Sequence, residues 1–251
     1  MYGRFRRMAH VKTASALKSK RQDQKNIWYT GENQRPPSAD FDLSFSFDLD
    51  PLGGTNIYLP LLLTSLDWFE DGQAEASIEG RRAGKIVTPR AASSPRSSNV
   101  AARPKFVCAF VGNQEPMRMR ALAALETIGN VDIYGAAFGG RVLDKYSIAK
   151  HYKFMLCFEN DLYPGYVTEK PLEAWVSGCI PLWRGIDSAE VLNPNALLNA
   201  ATFDSLASFV NAVAELDDDA ERLAKMGSNP ILSREVSLRP AKEAMKRLVD
   251  E

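Results

Sequence analysis

Lys105-Phe-Val-Cys-Ala-Phe-Val111 is a continuous apolar run, typical of a strand that is buried on both faces of a sheet. Pro116 suits the first turn of a helix, which we predict to extend to about Ile128. The alternation of strand and helix then continues as far as Trp183. The later predicted strands are Val131–Tyr134, Lys153–Phe158 and Cys179–Trp183, and the helices between them are Leu143–His151 and Thr168–Ser177. This order predicts a parallel α/β sheet, which binds ligands beyond the carboxyl ends of its strands.

Outward from this core, composition divides the chain of 251 residues into four regions. The predicted regions are a basic tail over 1–25, an N-terminal domain region over 26–72, a linker or mobile loop over 73–104, and a C-terminal domain with closing helices over 105–251. Leu43, Phe45 and Phe47 alternate with polar residues, so we expect them to share one face of a strand in the second region. The region over 73–104 is rich in Ala, Ser, Arg and Pro, which favours a linker.

Composition excludes several classes of protein. Hydrophobic residues make up 45% of the chain, enough for a buried core. The longest apolar run, Ile57 to Leu63, is interrupted by Pro60, so we predict no transmembrane segment. The chain has 31 basic and 31 acidic residues, which argues against nucleic acid as a partner.

Charge is unevenly distributed along the chain. Basic stretches over 1–25 and 81–105 flank an acidic stretch over 38–80. One interpretation is a surface module that contacts phosphates or the periphery of a membrane; the other is a solvated tail and linker.

Neither cysteine nor histidine indicates a metal site or a disulfide framework. Cys108, Cys157 and Cys179 lie in apolar surroundings and read as small buried residues in a reducing compartment. His10 and His151, the two histidines of the chain, form no cluster in the sequence. We expect no bound metal.

The densest polar cluster follows the predicted strand Lys153–Phe158. It reads Glu159-Asn-Asp-Leu-Tyr163-Pro-Gly-Tyr166-Val-Thr-Glu-Lys170 and precedes a helix. Thr168 is a good N-cap residue, and Lys170 lies beside free helical N–H groups, an arrangement suited to an anion. The alternative is that Thr168 and Glu169 only cap the helix.

Lys153-Phe-Met-Leu-Cys-Phe-Glu-Asn160, Tyr166-Val-Thr-Glu-Lys170 and Gly178-Cys-Ile-Pro181 resemble the signature of the α-1,3/4-fucosyltransferases. Tyr29-Thr-Gly-Glu-Asn33 and Phe110-Val-Gly-Asn113 with Pro116-Met-Arg118 resemble further motifs of that family. The resemblance implies a GT-B fold, in which two Rossmann-like domains face each other across a cleft. It also implies inverting transfer of fucose from GDP-fucose, the donor substrate, to an N-acetylglucosamine-containing glycan acceptor, with no cofactor.

The resemblance implies a role for each matching donor-site residue. Arg118 and Lys170 match the cations that hold the donor diphosphate, and two fixed cations can stabilise departing GDP without a metal. Asn160 and Tyr166 match residues that line the nucleotide and ribose. Glu169 matches a glutamate near the ribose and fucose, where a carboxylate can stabilise positive charge at the anomeric carbon.

Glu32 matches the family glutamate proposed as the general base. It follows the β-prone run Ile27–Tyr29, so we expect it at the carboxyl end of a strand, facing the cleft. A turn residue between Gly31 and Asn33 is the alternative. Arg35, in the same loop, is either an anion contact or a solvated side chain.

This sequence departs from the family pattern mainly before Glu32. Only 31 residues precede it, so we expect a truncated N-terminal domain, and without a membrane anchor we expect a cytoplasmic protein. The alternative function is a GDP-sugar-binding remnant that transfers nothing.

Overall fold

The structure is a computed structural model and describes residues 24–36, 41–68, 86–140 and 142–250. It contains two parallel sheets. Almost all of the predicted basic tail lies outside the described residues, as does the part of the predicted linker between 73 and 85.

The first sheet has three strands in the order β1-β2-β3. These strands are β1 Ile27–Tyr29, β2 Leu43–Ser46 and β3 Asn56–Tyr58, and a short helix, α1 Leu61–Thr64, follows them. Leu43 and Phe45 of β2 belong to one buried apolar cluster, as their alternation predicts. The alternating residues Ser44 and Ser46 are also buried, and the hydroxyl groups of both donate to Asn56 Oδ1. The polar side chains of this strand therefore have hydrogen-bond partners.

The second sheet has five parallel strands in the order β5-β4-β6-β7-β8. Its strands are β4 Lys105–Phe110, β5 Val131–Tyr134, β6 Tyr152–Leu156, β7 Ile180–Trp183 and β8 Leu198–Asn199. The helices before and between them are α2 Pro89–Ala92, α3 Pro116–Leu125, α4 Lys145–Ala149 and α5 Lys170–Val176, and the closing helices are α6 Leu206–Asp217, α7 Ala220–Ser228 and α8 Arg239–Asp250. Apolar clusters cover both faces of the sheet, which explains the continuous apolar strands. The α/β fold predicted from the sequence is confirmed.

Helix α5 ends at a glycine that its geometry requires. Gly178 has φ of 76°, in the left-handed region, and its N–H bonds to Trp175 O while Cys179 N–H bonds to Ala174 O. These two bonds form a Schellman motif, which closes the helix and returns the chain directly into β7.

Helix α8 differs from its predicted place in the C-terminal domain. Ala244 and Leu248 of α8 pack against Leu43 and Phe45 of β2, so the last helix covers the first sheet. The apolar face of that sheet needs a covering element, and α8 supplies it.

Residues 86–104 also differ from the predicted linker. Ala92 and Val100 are fully buried, and Arg96 donates to Trp175 O and Gly227 O. Arg103 donates to Tyr152 O and Ser177 O, so these two arginines point inward and do not belong to a basic surface. Burial lowers the pKa of Arg96 to about 10. The segment is a packed part of the second domain because its two arginines donate hydrogen bonds to carbonyl groups at helix and strand ends.

Among the helices that the structure describes, none is long and apolar enough to cross a membrane.

Candidate active site

Arg118 lies on the first turn of α3, where the loop after β4 enters the helix. Glu115 caps this helix by accepting from the N–H groups of Met117 and Arg118. The Arg118 side chain is buried, and its guanidinium donates to Asn113 O (2.6 Å), Phe158 O (2.8 Å) and Asn160 Oδ1 (2.9 Å). These acceptors are neutral, so they orient the cation without cancelling its charge. Burial lowers the pKa of Arg118, although the nearby carboxylates oppose that shift.

Lys170 approaches the same point from the start of α5. Its Nζ donates to Phe158 O (3.2 Å) and Asn160 Oδ1 (3.3 Å), the two acceptors that Arg118 also uses. Two helices on opposite sides of β6 therefore bring two cations to one carbonyl and one amide oxygen.

Glu159 holds Lys170 in this position, a role that the sequence did not reveal. Its fully buried carboxylate lies 3.0 Å from Lys170 Nζ. The same carboxylate accepts from the backbone and hydroxyl of Thr168 and from Trp183 Nε1. Such a set of donors is what a buried carboxylate needs to stay charged.

The N-cap prediction for Thr168 is off by one residue. Glu169 occupies the N-cap position of α5, without a capping side-chain hydrogen bond. The Thr168 hydroxyl, one residue earlier, donates to the Glu159 carboxylate and accepts from Lys170 N–H at 3.4 Å, at the first residue of the helix.

A cavity of about 320 Å³ opens beyond the carboxyl ends of β4 and β6. Arg118, Asn160, Glu169 and Lys170 line it together, as do residues of the β4–α3 loop. Lys145 and Glu173 also line the cavity and form an ion pair with each other, and the sequence analysis singled out neither. Their pairing joins α4 to α5, so local sequence carries no signal for it.

Glu169 has a carboxylate oxygen, Oε2, that is buried and has no hydrogen-bond partner in the structure. An unpartnered buried oxygen costs free energy, so its persistence in a cavity wall points to a ligand hydroxyl or positive charge. Burial raises the pKa of Tyr29, at the end of β1; a side-chain hydrogen bond with Thr64 opposes this shift, and the charge of Glu169 adds to it.

Tyr166 is not among the described residues that line the cavity. Its buried ring packs edge-to-face against Phe47 of the first domain, with centroids 4.7 Å apart. Burial raises the pKa of Tyr166, and the charges of Glu159, Glu32, Glu169 and Asp161 raise it further.

Glu32 follows β1, as predicted, and its side chain is exposed. Its N–H bonds to Thr30 Oγ1 and its carbonyl accepts from Gln34 N–H, so the loop is a tight local turn.

Gly165 permits the close approach of the two domains. Its φ is 85°, and a Cβ at this position would lie 2.5 Å from Phe47 O. Its carbonyl accepts from Tyr58 Oη at 3.0 Å. Only glycine fits both the backbone conformation and this contact.

A second cavity of about 830 Å³ lies beyond β7 and β8. Its charged lining residues are Asp187, Glu190 and Arg234, and most of its wall is apolar. Burial raises the pKa of Asp187. Because acidic residues outnumber cations there, the smaller cavity is the better match for a diphosphate.

Metal-binding groups are not apparent in the part of the chain that the structure describes. Within those ranges, no three or more His, Cys, Asp or Glu side chains are arranged to hold an ion. Cys108, Cys157 and Cys179 are free and buried.

The two-domain architecture resembles solved fucosyltransferases. The chain superposes on a crystal structure of an α1,3-fucosyltransferase with GDP-fucose with a TM-score of 0.72, at 23% identity, covering 92% of this chain and 77% of the other. This likeness shows the fold, and it confirms the GT-B-like architecture predicted from the sequence.

Residues 100–226 match the model of glycosyltransferase family 10 (fucosyltransferase), C-terminal region. The chain belongs to this family, as the motifs indicate. It is 27% identical over 213 residues to the alpha-(1,3)-fucosyltransferase FucT of Helicobacter pylori, covering 78% of this chain and 45% of that protein. It is 30% identical over 172 residues to 4-galactosyl-N-acetylglucosaminide 3-alpha-L-fucosyltransferase FUT5 of Homo sapiens, covering 61% of this chain and 44% of that protein. The chain thus spans less than half the length of each of these two relatives.

Proposed function

We propose that this protein transfers fucose from GDP-fucose to a hydroxyl of an N-acetylglucosamine-containing glycan, with inversion at the anomeric carbon. The observation that carries the proposal is the convergence of Arg118 and Lys170 on Asn160 at the wall of a cavity. The names of the two relatives, which are fucosyltransferases, support the choice of fucose and of the acceptor class.

The donor diphosphate occupies the cavity, with its oxygens toward Arg118 and Lys170. When the bond between the anomeric carbon and the phosphate oxygen breaks, its electron pair stays on GDP. Two cations fixed in advance stabilise that charge with little reorganisation. Lys145 lies at the same wall, where the Glu173 carboxylate pairs with it.

The acceptor hydroxyl attacks the anomeric carbon from the face opposite GDP and gives its proton to the Glu32 carboxylate. The exposed position of Glu32 lets an acceptor reach it. Glu169, whose Oε2 lacks a partner, stabilises the positive charge that develops on the sugar ring.

GDP binding should weaken when either donor-site cation is removed. Arg118→Ala or Lys170→Ala should cost about 1.5–3 kcal/mol of GDP binding free energy, the scale of charge-assisted hydrogen bonds. Fluorescence titration with GDP measures the change. Arg103→Ala and Lys153→Ala are matched controls, since Arg103 also donates to carbonyls and Lys153 pairs with Asp217. Equal losses of GDP affinity in the site variants and in the controls would contradict the assignment of Arg118 and Lys170 to the donor site.

Chelation should leave GDP binding and transfer unchanged, because side-chain cations supply the positive charge in this proposal. The measurement is a GDP titration and a GDP-release assay, with and without EDTA. If GDP binding is lost in EDTA and Mn²⁺ or Mg²⁺ restores it, a metal ion contributes to binding of the diphosphate.

A GDP-sugar-binding protein without transfer activity is the second candidate. The turn that Glu32 forms with Thr30 and Gln34 favours it, since a residue that serves a local turn need not act as a base. A GDP-release assay with a galactose/N-acetylglucosamine acceptor distinguishes the two: release above the acceptor-free rate supports transfer, and GDP binding without release supports the second candidate.

A further inference from the structure

Two contacts join the loop that carries Glu32 to the loop that follows β6. Asn33 Nδ2 donates to Asp161 Oδ2 at 2.6 Å, and the Arg35 guanidinium lies over the ring of Tyr163. Asn33 and Asp161 are 128 positions apart in the chain, so this bond connects the two domains. We call these two interactions the crossing contacts.

The crossing contacts link the donor-site cations to Glu32 by a short path. Asp161 directly follows Asn160, whose Oδ1 accepts from both Arg118 and Lys170. Asn33 directly follows Glu32. One hydrogen bond and two peptide links therefore separate Asn160 from Glu32.

Arg35 sets the orientation of the Asn33 amide. Its Nη2 donates to Asn33 Oδ1 at 3.2 Å, which turns the Nδ2 group toward Asp161. Arg35 Nε also lies 4.0 Å from Asp48 Oδ2, at the end of the first sheet. The amide thus has a cation on its oxygen side and a carboxylate on its nitrogen side, which defines a single favourable orientation.

The hydrogen bond between Asn33 and Asp161 is exposed. Exposed polar contacts contribute little to stability, so its loss should leave the fold intact. Small displacements matter far more in catalysis, where a misplacement of about 1 Å can cost roughly 10²-fold in rate. Loss of this bond should therefore act mainly on the position of the proposed general base, Glu32, and hence on the rate of transfer.

We propose that Asn33, Arg35 and Asp161 are positioning residues, which hold Glu32 in register with the donor and couple occupation of the donor cavity to the placement of the base. This inference rests on the proposed function.

A swapped pair tests the inference. Asn33→Asp places two carboxylates opposite each other and should lower kcat by about 10–100-fold, while the KM for GDP-fucose stays within about 2-fold. Adding Asp161→Asn restores a donor opposite an acceptor and should recover most of kcat. Asn33→Ala, which removes the bond without adding charge, should give a smaller loss. Asn130→Asp is the matched control, because Asn130 makes a similar exposed bond to Asp132 beside β5.

Amide hydrogen exchange of residues 30–36 gives a readout that does not need transfer. GDP should slow exchange there in the native chain and in the swapped double variant, and should not do so in Asn33→Asp. An unchanged kcat in Asn33→Asp, failure of the double variant to recover, or an equal effect of GDP on all three proteins overturns the inference. A native chain that binds GDP without transferring fucose overturns the proposed function, and the exchange data then decide the coupling separately.

Discussion

Replacing Glu32 by Gln should lower fucose transfer by roughly 10²–10⁴-fold, the contribution of a positioned general base. The amide keeps the shape of the side chain but accepts no proton at this stage of the reaction. GDP affinity should change little, because the described lining of the donor cavity does not include Glu32. A loss confined to the chemical step identifies a group that acts mainly in the transition state.

The measurement is the initial rate of GDP release with a galactose/N-acetylglucosamine acceptor, together with a GDP titration. Glu126→Gln is a suitable control, since Glu126 is an exposed glutamate at the far end of α3. If Glu32→Gln transfers at the native rate while Glu169→Gln does not, the base lies elsewhere.

Removing the Glu159 side chain should lower the free energy of unfolding by about 3–5 kcal/mol. Glu159→Ala leaves the buried donors of Thr168 and Trp183 without an acceptor, and removes the carboxylate that pairs with the partly buried Lys170. An unpaired cation in such a place is costly, and Lys170 would also lose its orientation toward the cavity. GDP affinity should therefore fall in any fraction that remains folded.

Urea unfolding measures this change. Asp217→Ala provides the comparison, because it removes the partner of Lys153 from a more exposed ion pair and should cost only about 0–1 kcal/mol. A loss for Glu159→Ala no larger than that for Asp217→Ala would show that the buried carboxylate does not hold the site together.

Strand and helix boundaries near the site followed closely from the sequence. The predicted strand Val131–Tyr134 has the bounds found in the structure, and the helix from Pro116 begins where predicted. Apolar runs and helical periodicity report local burial, which is why they succeed here. Predicted helix ends were less accurate: α5 begins at Lys170, two residues after the predicted start at Thr168.

The placement of the polar cluster after β6 followed from the rule for parallel sheets, whereas Arg118 was implied only by the family resemblance. The structure gathers Arg118, Asn160, Glu169 and Lys170 around one cavity. Tyr166 was expected to line the nucleotide, and its ring instead packs against Phe47 between the domains.

By itself, the sequence determined the parallel α/β core and the family, since both depend on residue types at short and regular spacing. Only the tertiary structure decided the pairs that join distant segments. It placed Glu159 under Lys170, Lys145 against Glu173, Asn33 against Asp161, and α8 over β2. These contacts depend on which elements meet when two sheets and their helices pack. The sequence around a polar residue does not indicate which distant residue it will contact. The chemistry at the cavity follows from residue types, whereas its geometry follows from packing.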